Sequence, residues 1–414
     1  YVRNDGNIGI GTSTPAYGVD IYNTFHVAGT STFDGNIVMG GSTSTPIYRI
    51  SNVATPATST DVATKGYVDA ATGGIGVPSG TALLSTNATP PSGYSYTGIT
   101  QQTNFSSSTP MPVAAYAGIA AFGSDGNFYV MGGSMGTSTW QYNPTSAVWT
   151  EKADIPLPNA TTTVPAVSAA GDASGNIYAF YASSTSLVAF QYNIASNTWT
   201  QKATSASVSL SLLNILNSTL FPDGTFHVAI EKTAGGGATI TEYLGYMIYN
   251  PTSNSWTSGT FASEGSASTP SLTHYCVAQS TSDGAIYALD HNSTKTYPFV
   301  FTKYTTVYTS VATADTADPY NQTAWTSSCV MSPDGINLYA LGGNTGTSPY
   351  GSPNVYIYNT ITNVVTKGAL TFGRYSAMAA FGKNTGQLYI AGGYNTAATS
   401  SVELMSLYYL MRKN

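Results

Sequence analysis

One glycine turn recurs six times along the last three quarters of this chain, and its interval constrains the fold more than any other feature. The turns read DGNFY at 125–129, SGNIY at 174–178, DGTFH at 223–227, DGAIY at 283–287, DGINLY at 334–339 and TGQLY at 385–389. Their glycines stand at 126, 175, 224, 284, 335 and 386, so the intervals are 49, 49, 60, 51 and 51 residues. A period of this length marks a radial or solenoid array in which each copy is one supersecondary unit that buries its core only against its neighbours.

Each copy has an apolar run before the glycine, such as YAGIAAFG, and another after it, such as FYVMGG. That is the pattern of two antiparallel strands around a turn whose glycine takes positive φ. A third strand follows, carrying an aromatic pair seven residues apart: Tyr142 and Trp149, Tyr192 and Trp199, Tyr249 and Trp256, with Phe301 and Tyr308 in the fourth copy. The fifth copy keeps Tyr358 but has Val365 in the second place. Such pairs flank a turn between strands three and four and suit packing between adjacent sheets. Four strands per copy and six copies predict an all-β chain folded as a six-bladed β-propeller. Composition agrees: the chain has 31 Tyr and only 8% charged residues, as suits short strands joined by polar turns.

These residues resemble the kelch family, whose repeats carry a Gly-Gly pair after the second strand, then Tyr, then Trp. Gly132–Gly133, Gly342–Gly343 and Gly392–Gly393 match the pair, while Tyr181–Ala182, Ile230–Glu231 and Asp290–His291 stand in its place in copies two to four. The last copy has three strands before the chain ends at Asn414. The segment 96–113 resembles the end of a kelch unit, including Met111–Pro112, and is expected to supply the missing strand and remove two open edges. The expected division is therefore a small β-rich shaft region with one short helix over 1–95 and the propeller over 96–414.

Before the propeller a shorter motif repeats, DGNIGIG at 5–11 and DGNIVMG at 34–40. Thin hairpins of this kind bury little apolar area and call for partner chains. The opening YVRNDGNIGIGTSTP reads as the middle of a repetitive strand region, so further chain is expected upstream. The segment 50–73 resembles one found in bacteriophage tail fibres and related trimeric fibre proteins, through Ile50, Asn52, Pro56, Asp61, Ala63, Thr64, Lys65, Tyr67, Val68 and Asp69. Thr60 can cap a short helix with Ala63 and Tyr67 on one face. The resemblance implies a homotrimer formed through residues before about 95 and a place outside the cell, on a virion fibre or a bacterial surface.

Several chemistries lack the residues they require. Net charge is −6, from 19 acidic and 13 basic residues, and no basic run suits nucleic acid. No apolar stretch reaches the roughly 20 residues of a membrane span. Cys276 and Cys329 are expected as separate buried thiols, because inner strands of neighbouring blades are taken to diverge beyond bonding reach. A copper site like that of kelch-type radical oxidases would need spaced histidines, which His227, His274 and His291 do not provide, and Tyr275 and Cys276 point to opposite faces of a strand. A sialidase needs three arginines, and Arg374 is the only one in the propeller before Arg412. Asp154, Glu231, Glu242, Glu264, Asp290, Asp315 and Asp318 read as solvated loop charges. No metal or cofactor is implied.

What remains is the face where the turns between strands two and three and the links between blades emerge. Its loops are long and varied, and Tyr297, Phe299, Tyr350 and Tyr394, with Asn344 and His291, are the candidate ligand-binding residues. The leading expectation is a non-catalytic head, not an enzyme, that binds a cell-surface glycan or protein receptor at the tip of a tail-fibre-like adhesin. Alternatives are a structural subunit of a surface filament and, third, a polysaccharide-active enzyme.

Overall fold

The fold is described from a computed structural model, covering residues 7–10, 12–14, 16–21, 82–85, 90–99, 105–156, 167–182, 186–206, 213–236, 239–267, 273–291, 299–315, 328–346, 348–382 and 385–413. The chain divides into two compact units, 1–76 and 77–414. Within the first, Ile8–Ile10 pairs in parallel with Val19–Ile21. The fibre-like segment 50–73 and its short helix lie outside the described residues.

The second unit is all β, and six four-stranded antiparallel sheets make the propeller. Blade 1 runs Ile119–Phe122, Phe128–Met131, Thr139–Asn143 and Val148–Lys152. Blades 2, 3 and 4 begin with Val167–Gly171, Leu213–Leu220 and Thr273–Gln279, and blades 5 and 6 with Ser328–Met331 and Met378–Gly382. These first strands pack side by side in a ring around the axis, as their mutual contacts from blade to blade show. The six turn glycines all take positive φ, from 62° to 90°, the conformation for which the repeat retains them.

The ring closes on a strand from before the first blade. Ser106–Ser108 pairs antiparallel with Val402–Ser406, the third strand of blade 6. Phe105 and Met111 anchor it on either side. Phe105 joins the apolar cluster between blades 5 and 6 with Leu388 and Leu407, and Met111 joins the cluster between blades 6 and 1 with Phe128 and Tyr389. The chain end does not extend the blade: Tyr409–Lys413 forms the centre of a separate three-stranded sheet between Ala82–Ser85 and Tyr94–Ile99.

The aromatic pairs act as clamps between blades. Tyr142 faces Trp149, Tyr192 faces Trp199 and Tyr249 faces Trp256 across strands three and four, with centroids 5.0, 5.1 and 5.1 Å apart. Each indole also donates to a carbonyl of the preceding blade: Trp199 to Ala153 at 2.9 Å and Trp256 to Ala203 at 2.8 Å. Trp149 makes the same bond to Thr109 at 3.1 Å, so the closing segment stands where a preceding blade's last strand should be. Between these blades, Asn197 and Asn254, each in the left-handed region, accept from the backbone N–H of Ala153 and Ala203 and from the hydroxyls of Tyr192 and Tyr249.

One expectation is corrected here. Cys276 and Cys329 form a disulfide, with Cα atoms 5.2 Å apart. Blades do splay outward, but these cysteines lie on the first strands of blades 4 and 5, where the ring brings neighbouring strands closest together.

Candidate functional site

The first strands enclose an axial channel of about 990 Å³. Its wall is polar on one side and apolar on the other. Ser168, Asn217, Ser218, His274 and Ser328 line it from blades 2 to 5, whereas blades 1 and 6 present Gly118, Ile119, Ala377 and Met378. The glycine turns lie toward the opposite end, where Asp172 is the only carboxylate of the lining among the described residues.

The chemistry of the wall centres on His274. Its Nδ1 lies 2.6 Å from Oδ1 of Asp290, and the hydroxyl of Tyr304 donates to Oδ2 at 2.7 Å. The Tyr304 ring stands edge-on to the imidazole, 5.6 Å between centroids at 82°. His274 is 2% exposed and Asp290 0%. In the tautomer that places the proton on Nδ1, Asp290 accepts from it and the ring's lone pair is on Nε2. This is the base-and-orienter arrangement used in general-base catalysis. Asp290 is therefore not a solvated loop charge, contrary to the sequence-based expectation.

A β-bulge makes the pairing. From Gln279↔Ile286 to Cys276↔Leu289 the hairpin is regular, and continued regularly it would set Tyr275 opposite Asp290 and His274 opposite His291. An irregularity between His274 and Cys276 instead brings His274 opposite Asp290. The disulfide at Cys276 ties this strand to blade 5, and Asn217 Nδ2 reaches past blade 4 to the Cys329 carbonyl at 3.1 Å. The hydroxyls of Ser168 and Ser218 are buried in the same wall without a hydrogen-bond partner.

A second feature lies on the loop side of blades 1, 5 and 6. Tyr394 contacts Tyr116 edge-on and Tyr375 at a tilt, each with centroids 5.4 Å apart. Burial, then the neighbouring phenols of Tyr394, Tyr116 and Tyr350, hold the Tyr375 hydroxyl above its ordinary pKa. Of the sequence candidates, Tyr350 is 39% exposed and Tyr394 half-buried, and Asn344 bridges Gly351 just beyond Tyr350. Tyr297 lies outside the described residues, whereas the backbones of His291 and Phe299 pair with each other at the loop end of blade 4. Tyr116 and Tyr375 were missed because each sits in a link before a blade's first strand, not in a long loop.

Arg374 braces this group from below. It is fully buried, paired with Glu403, and donates to the carbonyls of Gly392 and Ser401, both at 2.9 Å. Burial pulls its pKa down and Glu403 opposes that pull.

No family model matches the sequence, and no curated protein matches it. Solved structures share the fold. One, designated YjhT, is 14% identical with a TM-score of 0.46, over 72% of this chain and 97% of that one. An α-L-arabinanase of Penicillium chrysogenum complexed with arabinobiose is 11% identical with a TM-score of 0.45, over 75% and 98%. A fungal alcohol oxidase in complex with copper is 13% identical with a TM-score of 0.38, over 80% and 76%. At these identities and TM-scores the likeness says nothing of function, and the six-bladed propeller rests on this chain's own six sheets.

The likeness does remove the ground for one expectation. Chains named as an arabinanase and an alcohol oxidase are among those this chain is similar to, and the lack of a familiar catalytic motif is in itself no evidence of a non-enzyme. The reading as a non-catalytic receptor-binding head is corrected on that finding. So are the tail-fibre, adhesin and virion attributes, for which no support is found. Among the described residues no helix is long and apolar enough to cross a membrane, and no group of three or more His, Cys, Asp or Glu is placed to hold a metal ion.

Proposed function

We propose that this propeller is a polysaccharide-active hydrolase that cleaves ester bonds on its substrate, with His274 as general base at the wall of the axial channel. The observation that carries the reading is the buried 2.6 Å contact between His274 Nδ1 and Asp290. Nε2 takes a proton from water as the water oxygen attacks the ester carbonyl carbon. The resulting imidazolium is stabilised by Asp290 and returns the proton to the departing sugar oxygen. The hydroxyls of Ser168 and Ser218 and the amide of Asn217 are the donors of the same wall suited to the oxyanion. Glycosidic cleavage is disfavoured because it needs two carboxylates flanking the bond, and among the described residues Asp172 is the only carboxylate in the channel lining. The Cys276–Cys329 bond supports a place outside the reducing cytoplasm.

The test is acid release in a pH-stat from O-acetylated polysaccharides, with reducing ends followed in parallel. The wild type should release acid, and His274→Gln should lose about 10²- to 10⁴-fold in rate while keeping its circular dichroism. Reducing ends without acid, or full activity in His274→Gln, would overturn the proposal.

A further inference from the structure

The tyrosine group on blades 1, 5 and 6 has the features of a built site. The rings of Tyr116, Tyr375 and Tyr394 are partly exposed yet held in contact through Tyr394, and Tyr350 stands near enough to Tyr375 to act on its hydroxyl. The residues following Tyr116 and Tyr375 are Ala117 and Ser376, with φ of 56° and 50°, a conformation that costs energy in residues other than glycine. The two links are tied together: Ala117 N–H donates to the Ser376 carbonyl at 2.8 Å, and Tyr375 and Tyr394 form a backbone bridge. Gly351 N–H donates to Asn395 Oδ1 at 3.0 Å, joining the blade 5 loop to that of blade 6. Orientation is therefore fixed by backbone and by Arg374 beneath, and little side-chain entropy is left to lose on binding.

The chemistry of the surroundings selects the ligand. Segments 114–118, 133–138, 344–351 and 392–401 contain no charged residue, and Arg374 is buried and paired. Phenol rings among Ser, Thr and Asn offer flat apolar faces for the C–H side of a sugar ring and hydrogen bonds for its hydroxyls, and these segments supply no cation to hold a carboxylate or sulfate. The site also adjoins the channel, since Gly118 and Ala377, two residues beyond Tyr116 and Tyr375, line it.

We propose that Tyr116, Tyr350, Tyr375 and Tyr394 form a stacking platform for neutral pyranose rings of a polysaccharide at the rim of the axial channel. The platform names the substrate class of the hydrolase proposed above and rests on that reading. Binding needs no proton transfer, so it is measured on the His274→Gln chain, and failure of the platform is told apart from failure of the base.

The experiment is affinity electrophoresis in gels containing galactomannan, mixed-linkage β-glucan or acetylated xylan, with polygalacturonate as the charged control. At least one neutral polymer should slow the chain. Replacing both Tyr350 and Tyr394 with Ala should weaken that binding about tenfold, and Phe at both positions should restore it. The single Tyr350→Ala variant guards against misfolding, since Tyr350 is 39% exposed and outside the core. It should weaken binding about threefold. The proposal is overturned by retardation in none of the neutral polymers, by retardation in polygalacturonate alone, or by alanine variants that bind as wild type. Tyrosine-dependent dimers in light scattering, without retardation, would equally overturn it in favour of self-association.

Discussion

Removing the Cys276–Cys329 bond asks whether the axial ring is held by a covalent constraint as well as by packing. The bond closes a loop with a sequence separation of 53 residues. The loop-entropy relation gives such a bond about 4 kcal/mol at 25 °C, through the freedom it removes from the unfolded chain. For a unit the size of Val77–Asn414, the usual entropy of unfolding per residue makes 1 kcal/mol worth roughly 1.4 °C, so the double Cys→Ala variant should melt roughly 6 °C lower. Alanine is preferred to serine because both positions are buried, at 8% and 9% exposed, and a new hydroxyl there would need a partner. Urea unfolding and calorimetry at a fixed scan rate supply the midpoints, and alkylation with mass spectrometry establishes that the wild type is oxidised. Reductant should lower the wild-type midpoint and leave the variant unmoved. An oxidised wild type with the same urea midpoint as the variant would refute the entropic argument. Because Cys276 adjoins His274 in the bulged strand, reductant should also slow acid release.

Two further outcomes follow from the fold. Phe105→Ala empties the site between blades 5 and 6 in which Phe105 is 8% exposed. It should cost about 3–5 kcal/mol in urea unfolding, and an unchanged midpoint would mean that the closing segment does not hold the ring. His227 lies sandwiched between Phe221 and Tyr246, with centroids 3.8 and 4.7 Å away. Burial, partly opposed by Asp223, holds its pKa below the ordinary 6.5. A half-buried histidine held neutral stabilises the fold fully above that ordinary value and loses its contribution as pH falls through the lower folded one. Melting points should therefore drop below about pH 6.5 in the wild type and drop less in His227→Gln; equal slopes would place the acid sensitivity elsewhere.

The propeller was legible because every blade repeats the same physical demands. A turn glycine at positive φ between apolar strands leaves its mark six times and the aromatic clamp four times, so the loss of one clamp, as at Val365, does not hide the period. The disulfide was misread because the geometry of outward-splaying blades was applied to strands at the axis. The tyrosine platform was half legible: Tyr350 and Tyr394 lie in conspicuous loops, while Tyr116 and Tyr375 join them only through contacts between blades.

The candidate base shows where in a repeat protein chemistry can be sought. Blades 1, 5 and 6 keep a glycine pair after the second strand, and blade 4 has Asp290–His291 in that place. Such a departure is visible in the sequence and marks a position freed from the demand of the turn. Its consequence was not visible, because a regular hairpin would have placed Asp290 opposite Tyr275, and only the bulge brings His274 there. The bulge costs one ladder position, and it gives a buried carboxylate a ring nitrogen to hold. Asp290→Asn keeps the register but removes the carboxylate that holds His274, and should lower acid release about 10²- to 10⁴-fold. An Asp290→Asn variant that folds, as judged by circular dichroism, and still hydrolyses at the wild-type rate would show that the pair is a structural contact and that the base lies elsewhere.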